Sequence, residues 1–320
     1  MKLGIIILNW NDAAVTLQCL RSLASWQNIT PEIIVVDNAS SDDSAAVIDS
    51  EFDDIQLVRS DINRGFAGGN NLGIKRAHEC GCEAILLLNS DAEIEEAGVA
   101  KLIAQLEAGE DPIIIGPAIE ERSAAGSLLT CGGRDIGRYS RTRIVCDKKQ
   151  DAVLGVTAQK SNIQSERGDL GRGRPTLQEV GYVPGTVVII PVTVFDSVGL
   201  LDEDYFFSGE IADFCAAARE QNIKSMIDLS VVAKHGDPDE DKPLRGSLYI
   251  YYTLRNRFLY VSKHGGRRRL RLKLVWTIKA CCMFGLSIIK ADFKRARAIA
   301  IGLADGIHKK WGNRNKRFCA

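Results

Sequence analysis

Short apolar runs alternate with segments of helical spacing over the first third of the chain, and this alternation restricts the fold most strongly. The apolar runs cover residues 3–8, 33–36, 55–58 and 84–88. Continuous runs of this length are typical of strands that are buried on both faces. Between the first two runs, Leu17, Leu20 and Leu23 recur at intervals of three, which indicates a helix. The pattern predicts an α/β fold with a doubly wound, mostly parallel central sheet flanked by helices.

The composition is compatible with one large domain, either alone or with an appendage. The chain has 320 residues, of which 45% are hydrophobic, so it is long enough to bury a substantial core. Its nine cysteines are an odd number, and none lies in a CxxC spacing. This favours reduced thiols over a disulfide framework or a zinc site. The apolar run at residues 5–8 is too short for a signal-peptide core and predicts a first strand.

Polar side chains follow the predicted strands, at the edge where open α/β sheets bind their ligands. Asp37 is placed to accept hydrogen bonds from a ribose or a base, with a helix N-cap as the alternative. Asn89 and Asp91 are two residues apart, so they project to the same side after the fourth strand. Asp91 supplies a hard oxygen that suits Mg²⁺ or Mn²⁺. An Asx turn before the next helix is the alternative for this pair.

A glycine-rich segment at residues 63–73 follows the third strand. Gly65, Gly68 and Gly69 would let the backbone approach a ligand closely, and Asn70 is placed to bond to a base or to the flanking loop. The string matches neither GxGxxG nor GxxxxGK[ST], which argues against a dinucleotide fold and a P-loop ATPase. A tight turn between strand and helix is the alternative reading of these glycines.

Four strings in this order and spacing resemble the family 2 inverting glycosyltransferases. They are "IIILNWNDAAVTLQCLRSL", "VVDNASSDDS", "NRGFAGGNNLGI" and "LLLNSDAEI". The resemblance is closest to the bacterial rhamnosyltransferase-like branch and covers roughly residues 1–264. It implies a GT-A fold that transfers a sugar from a nucleoside diphosphate donor, dTDP- or UDP-linked, with a divalent cation on the diphosphate.

The resemblance also implies roles for individual residues. It places nucleotide contacts at Asn9, Trp10, Asp37, Asn70 and Asn89. Asp91 occupies the last position of the family's metal motif, which makes it the expected metal ligand. Similar enzymes carry a metal- or diphosphate-contacting histidine after a later strand, and His235 stands there. Imidazole is a softer ligand than Mg²⁺ prefers, so its use would favour Mn²⁺.

The candidate base lies in the string "GLLDEDYFFSGE", which resembles a further motif of the family. Members normally continue with an Asp directly after this Glu, but here Ile211 follows Glu210. An inverting transfer needs a carboxylate near the attacking hydroxyl, and an alkyl side chain cannot serve. Glu210 and Asp213 are three residues apart and share one face of a helix, so either is a candidate. Charge complementation of the helix N-terminus is the alternative role for both.

Residues 120–178 are rich in Gly, Ser and Arg and show no sustained period. In similar enzymes this region helps to form the acceptor side of the cleft. Four arginines there are suited to a phosphorylated acceptor, with a solvated loop as the alternative: Arg134, Arg138, Arg141 and Arg143.

Basic residues are concentrated at the C-terminal end. From Arg255 onward the chain has 18 Lys and Arg but only 2 acidic residues. An apolar stretch in this part is interrupted by Lys273, Lys279 and Lys290, which leaves fewer than the roughly 20 residues needed to cross a bilayer. We therefore expect an interfacial helix on an anionic leaflet. A helix packed on the domain or in a homodimer is the alternative, and no nucleic-acid module is recognisable.

Taken together, the sequence predicts a GT-A domain at residues 1–264 and a basic amphipathic helical tail at 265–320. The domain divides into a nucleotide-binding half (1–118) and an acceptor half (119–264). The predicted enzyme is cytoplasmic and peripheral on the inner face of the cell membrane, and it glycosylates a glycolipid or a polysaccharide precursor. One alternative is a non-catalytic nucleotide-sugar-binding subunit, which Ile211 favours. Another is a sugar nucleotidyltransferase, but "ILNWNDAAVTL" lacks the Gly-rich basic loop of that class.

Overall fold

A computed structural model describes residues 1–122, 128–133, 176–236 and 243–318. The strands are β1 (Leu3–Asn9), β2 (Glu32–Asp37), β3 (Gln56–Arg59), β4 (Ala84–Asn89), β5 (Ala92–Ile94), β6 (Ile113–Glu121), β7 (Leu128–Thr130), β8 (Leu177–Val180), β9 (Val187–Pro191) and β10 (Lys224–His235). The α-helices are α1 (Ala13–Ala24), α2 (Ser44–Glu51), α3 (Gly65–Glu79), α4 (Glu96–Ala108), α5 (Val192–Val198), α6 (Glu210–Glu220), α7 (Pro243–His264), α8 (Arg269–Ile289) and α9 (Phe293–Ile307).

One sheet organises the fold, in the order β3-β2-β1-β4-β9-β6-β10-β5, with β7 paired to β6 and β8 to β10. Strands β1 to β4 pair in parallel, which confirms the predicted parallel arrangement of the first four strands. Beyond β4 the sheet is mixed, because β9 runs antiparallel to both β4 and β6. The apolar runs predicted the strands but not the reversal, since strand direction depends on how the connections fold.

Helices cover both faces of the sheet. Along β1, Ile5 and Ile7 pack on the side of α1, α2 and α4, whereas Ile6 packs on the side of α3, α5 and α6. Successive side chains of a strand point to opposite faces, so a sheet covered on both sides needs apolar residues at every position. This explains the continuous runs in the sequence and confirms the α/β fold class.

A third apolar cluster joins the C-terminal helices to the rest of the chain. Tyr251 and Phe258 of α7 pack with Trp276 of α8 and Ile299 of α9. The Tyr251 hydroxyl also donates to Asp305 Oδ2 at 2.8 Å. The predicted boundary at residue 264 follows α7, but the helices on both of its sides share this core. The four arginines proposed for an acceptor site lie outside the described residues.

Helix α8 and the turn before it form a segment, Gly266–Ile289, whose length and composition would allow it to cross a membrane. This corrects the expectation that its lysines leave it too short. Lys273 and Lys279 are the only charged residues among the last 18 residues of the segment, so the segment is apolar on average. Length alone does not decide between a spanning and an interfacial helix, because packing against the domain also restricts its orientation.

Candidate functional site

The polar strand ends predicted from the sequence meet at one edge of the sheet. Asn9 of β1 lies beside Asp37 of β2, and Leu8 lies beside Asn89 of β4. Strand β10 is parallel to β6, and both β6 and β4 are antiparallel to β9, so β10 ends at the same edge. His235, the last residue of β10, is thereby brought to the polar ends of β1, β2 and β4.

Asp37 is held by a network of neighbouring side chains. Its Oδ1 accepts hydrogen bonds from Asn9 Nδ2 at 2.9 Å and from the Ser40 hydroxyl at 2.6 Å. Asn9 is fully buried, and its Oδ1 accepts from the Thr16 hydroxyl at 2.8 Å. The Asn9 side chain therefore positions Asp37, and a contact of Asn9 with the nucleotide stays a prediction. The N-cap of α2 is Asp43, so the alternative role for Asp37 is also set aside.

The glycine-rich segment forms the first turns of α3 and not a loop, because close packing on the sheet favours glycine over the usual helix formers. A Cβ at Gly69 would lie 2.4 Å from a methyl group of Leu8, and one at Gly73 would lie 2.5 Å from Ile6. Asn70 is buried and donates to the carbonyl oxygen of Phe66 at 2.9 Å, one turn earlier. The glycines thus let the helix approach β1, and Asn70 bonds within its own helix.

Asn38 is a site residue that sequence reasoning missed. Its Oδ1 accepts from the Arg64 amide at 2.9 Å, and its Nδ2 donates to the Gly65 carbonyl at 3.0 Å. Gly65 has φ +70°, and a Cβ there would lie 2.1 Å from the carbonyl oxygen of Phe206. Asn38 therefore ties the end of β2 to the start of α3. Its position directly after Asp37 at a strand end was the available signal.

Trp10 is half-exposed at the rim of this edge. It follows β1, and the next residue, Asn11, has φ 54° and accepts a hydrogen bond from the Ser41 amide at 2.7 Å. The segments after β1 and β2 are thus linked, and they leave the indole accessible. An exposed aromatic ring in this position is suited to stacking on a base.

Asp91 and His235 meet across the turn between β4 and β5. His235 pairs with Ala92 in the sheet register, and its Nε2 lies 3.2 Å from Asp91 Oδ1. Both side chains are partly exposed. Two ligands at right angles around one octahedral ion, each about 2.1 Å from it, are about 3 Å apart, so this spacing fits a shared cation. The described residues contain no cluster of three protein ligands, so diphosphate oxygens or waters would complete the coordination.

Glu210 begins helix α6 and is almost fully buried. Its Oε2 has no hydrogen-bond partner among the described residues. Burial, together with the nearby charge of Asp213, raises the pKa of Glu210 from 4.5 to about 7. The carboxyl group is therefore poised to exchange a proton near neutral pH.

Asp213, one turn later in α6, has a different environment. Its Oδ1 accepts from Tyr205 at 2.9 Å and contacts His264 Nε2 at 2.7 Å, while its Oδ2 accepts from Lys263 Nζ at 2.6 Å. Burial alone would raise the pKa of Asp213, but the hydrogen bond from His264 and the charge of Lys263 lower it below its ordinary value. Asp213 is therefore held as a carboxylate that joins α6 to the end of α7.

Ile211, which stands where similar enzymes carry an acid, packs into the core. It is buried, and a Cβ at Gly185 would lie 3.0 Å from Ile211 Cγ1. Thr186, which follows Gly185, accepts a hydrogen bond at its carbonyl oxygen from the Asn89 amide at 3.0 Å. The first turn of α6 thus lies close to the end of β4, and Glu210 is brought toward the edge that carries Asp91.

A second set of residues missed by sequence reasoning lies in α7. Asn256 Nδ2 donates to the carbonyl oxygens of Tyr205, Phe207 and Ser208 at 3.0, 2.8 and 2.6 Å. Arg255, fully buried, donates to the Tyr205 carbonyl at 2.8 Å. The segment they hold contains two non-glycine residues with positive φ, Phe206 and Ser208. Such conformations cost energy and persist where the surroundings enforce them. The hydrogen bonds from Arg255 and Asn256 therefore fix the backbone conformation of the segment that leads into Glu210.

Comparisons with known proteins agree with this architecture. Residues 4–128 match the family model of glycosyl transferase family 2. The chain is 27% identical over 308 residues to the low-salt glycan biosynthesis hexosyltransferase Agl10 of Haloferax volcanii, covering 96% of this chain and 90% of that one. It is 23% identical over 269 residues to the dTDP-rhamnosyl transferase RfbF of Shigella flexneri, covering 81% and 79%.

The fold is also shared with a solved structure, the mannosyltransferase PcManGT from Pyrobaculum calidifontis in complex with GDP-Man and Mn²⁺. The TM-score is 0.58 at 12% identity, and the match covers 97% of this chain and 88% of that one. At this identity the likeness shows the fold alone, and the relatives and the family model carry the activity. The chain is therefore a glycosyltransferase with a GT-A fold, and its residues 4–128 are similar to glycosyl transferase family 2.

Proposed function

We propose that the enzyme inverts the anomeric centre of a hexose, rhamnose or a similar sugar, as it moves it from a dTDP- or UDP-linked donor. The acceptor is a hydroxyl group of a glycolipid or a polysaccharide precursor. The observation that carries this proposal is Glu210, whose pKa is raised to about 7 at the start of a helix close to the end of β4. A near-neutral carboxyl group is the general base that a direct displacement requires.

The donor would bind at the edge where β1, β2, β4 and β10 end. Asp91 and His235 would hold a divalent cation together with the diphosphate, and a cation there would supply positive charge to offset that of the leaving group. Asp37 and Trp10 are suited to the nucleoside, the first as an acceptor and the second as a stacking surface. The dTDP-rhamnosyl relative and the fold neighbour with GDP-Man and Mn²⁺ support a nucleotide-sugar donor and a cation.

Glu210 would take the proton of the acceptor hydroxyl as its oxygen attacks the anomeric carbon opposite the diphosphate. The hydroxyl oxygen forms the new glycosidic bond, the bond to the diphosphate breaks, and the configuration inverts. Asp213 is less suited to this task, because three donors already stabilise its charged form. Its contacts with Lys263 and His264 instead make it a positioning residue for α6.

The alternative function is a subunit that binds nucleotide sugars without transferring them. Ile211 is the observation that favours it, since an alkyl side chain occupies the position of the family's usual base and is packed into the core. The two functions agree on donor binding and differ only in turnover.

A donor screen separates them. Calorimetric titrations with UDP-, dTDP- and GDP-linked sugars, with and without Mn²⁺, would be followed by assays of released nucleoside diphosphate and by NMR of the released sugar. We expect Mn²⁺-dependent binding of one donor class and slow release of the inverted anomer. Binding without release of any donor would favour the non-catalytic subunit. Equal binding with and without Mn²⁺ would count against the cation site.

A further inference from the structure

Helix α8 exposes an apolar face along its whole length. Leu270, Leu274 and Ile278 follow one another at intervals of four, so they share one side of the helix. The relative exposures of Leu270 and Ile289, near the two ends, are 80% and 81%. We define this α8 apolar face by its members: Leu270, Leu274, Ile278, Cys281, Gly285, Ile288 and Ile289. A contiguous exposed apolar surface of this kind marks an interaction site.

The opposite side of α8 is fixed to the domain. Leu272, Trp276 and Ala280 are buried in the cluster shared with α7 and α9. The guanidinium of Arg257, itself buried in α7, lies 5.2 Å from the centre of the Trp276 ring. If α8 spanned a membrane, Arg257 and helix α7 would either enter the hydrocarbon with it or lose their packing against α8. Both outcomes cost free energy. The packing therefore favours α8 lying parallel to a membrane surface.

Exposed cations flank the apolar face at both ends. Arg267, Arg268 and Arg271 lie at its start, and Lys290 and Lys294 lie at its end. Residues 266–294 contain eight Lys and Arg but one acidic residue, Asp292. If two copies of the chain paired through this face, cations would meet cations with Asp292 as the one acidic residue of each segment. Anionic lipid headgroups supply the missing negative charge, and the acyl chains beneath them accept the apolar side chains.

We propose that the α8 apolar face inserts into the interface of an anionic bilayer leaflet, with the helix axis in the membrane plane. The flanking arginines and lysines contact the phosphate groups, and α7 holds the catalytic domain above the surface. This inference is independent of the proposed reaction, because it requires neither donor nor turnover.

Vesicle flotation tests the proposal with the full chain. Vesicles of phosphatidylcholine, with or without phosphatidylglycerol, should carry the protein upward only when the anionic lipid is present. Leu274→Glu and Ile278→Glu should each lower the partition coefficient about tenfold or more, since each places a charge where an apolar side chain is buried. Ile62→Glu is the matched control, because Ile62 is 59% exposed on the catalytic domain and far from α8 in sequence. It should float like the wild type.

The other occupants of the face give different results. Equal flotation with pure phosphatidylcholine would overturn the anionic preference. If Leu274→Glu and Ile278→Glu dissociate a lipid-free dimer, measured by light scattering, and leave flotation unchanged, the face binds a second copy. Resistance to both high salt and alkaline carbonate would indicate a spanning helix and would also overturn the proposal. Arg267→Gln with Arg268→Gln provides a second variant at exposed positions, which should weaken flotation and reduce its dependence on salt.

Discussion

The proposed donor edge, where β1, β2, β4 and β10 end, and the proposed base segment, residues 205–210, are held in place by different kinds of contact. At the donor edge, Asp37 is bonded to Asn9 and Ser40, so the contacts join adjacent strand ends. In the base segment, the residues just before Glu210 are held by Asn256, which follows them by about fifty positions. The proposed donor edge is thus held by contacts between neighbouring strand ends, whereas the backbone before Glu210 is held by helix α7, which is distant in sequence.

This difference explains why donor binding and turnover should respond separately to mutation. The polar groups of the donor edge satisfy one another, whereas Glu210 retains a buried oxygen without a partner in the described structure. Polar groups left in this state are costly and often functional. Substitutions on one side should therefore leave the other largely intact.

The largest expected effect comes from Glu210→Gln. Removing the base should lower kcat by about 10²- to 10⁴-fold, with donor affinity unchanged, because the amide keeps the shape but cannot accept a proton. Glu220→Gln is the matched control, since Glu220 lies at the exposed end of the same helix. Steady-state kinetics and calorimetry measure the two quantities. A Glu210→Gln enzyme with normal kcat would show that the base lies elsewhere.

The raised pKa of Glu210 should make both activity and stability depend on pH. As a base Glu210 must be ionised, so kcat should rise as pH rises through about 7. Its folded-state pKa exceeds the ordinary value of 4.5, so its contribution to stability is fully present below pH 4.5 and is lost as pH rises to about 7. The loss is on the order of 3 kcal/mol.

Urea unfolding of the wild type and of Glu210→Gln across this range measures the stability term. The wild type should lose stability relative to the variant as pH rises, because only the wild type places a charge in the buried site. A difference between the two proteins that stays constant with pH would contradict the assigned environment of Glu210.

A smaller effect is expected at the donor edge from Asp91→Asn. Replacing the carboxylate should weaken Mn²⁺-dependent donor binding by about 10- to 100-fold, since a neutral amide is a poor ligand for a hard cation. Without Mn²⁺ the variant and the wild type should bind equally weakly. Asp54→Asn, at an exposed position, serves as the control in the same titrations. Unchanged Mn²⁺ dependence would remove Asp91 from the cation site.

The smallest effect is expected from Asn256→Ala. Asn256 lies in α7 and holds the backbone before Glu210. Three carbonyl groups lose their shared donor, and the free energy of unfolding should fall by about 2 kcal/mol. Turnover should fall as well, because the segment before Glu210 is no longer held. Asn313→Ala removes two exposed hydrogen bonds, one to the Asn63 carbonyl at 3.3 Å and one from the Asn315 amide at 3.0 Å, and should change stability by less than about 0.5 kcal/mol. Lost stability with unchanged kcat would limit Asn256 to a structural role.

Much of the part of the sheet formed by β1 to β4 could be predicted from local pattern. The positions of Asp37, Asn89 and Asp91 at one edge could be predicted because apolar strands end in polar residues, and the parallel pairing of β1, β2 and β4 brings those ends together. Asn9 was correctly placed at the edge, but its bonds to Asp37 and Thr16 could not be read from the sequence, since they depend on how neighbouring strands are aligned. The same limit applies to Asn38.

The helix start at Gly65 shows how packing overrides local propensity. Several glycines in one segment predict a loop, because glycine is a poor helix former. The structure begins α3 there, since Gly69 and Gly73 let the helix approach Leu8 and Ile6 closely. Propensity acts within a few residues, whereas this contact depends on a strand more than fifty positions earlier in the chain.

The sequence by itself determined the alternation of strands and helices, the polar strand ends and the basic apolar tail. These features depend on residue type and spacing, which periodicity records directly. Only the tertiary structure decided that His235 meets Asp91, that Glu210 and Asp213 differ in ionisation, and that α8 is fixed to α7 with an apolar face exposed. Each of these depends on groups distant in sequence, whose burial and charge act only once the chain has folded.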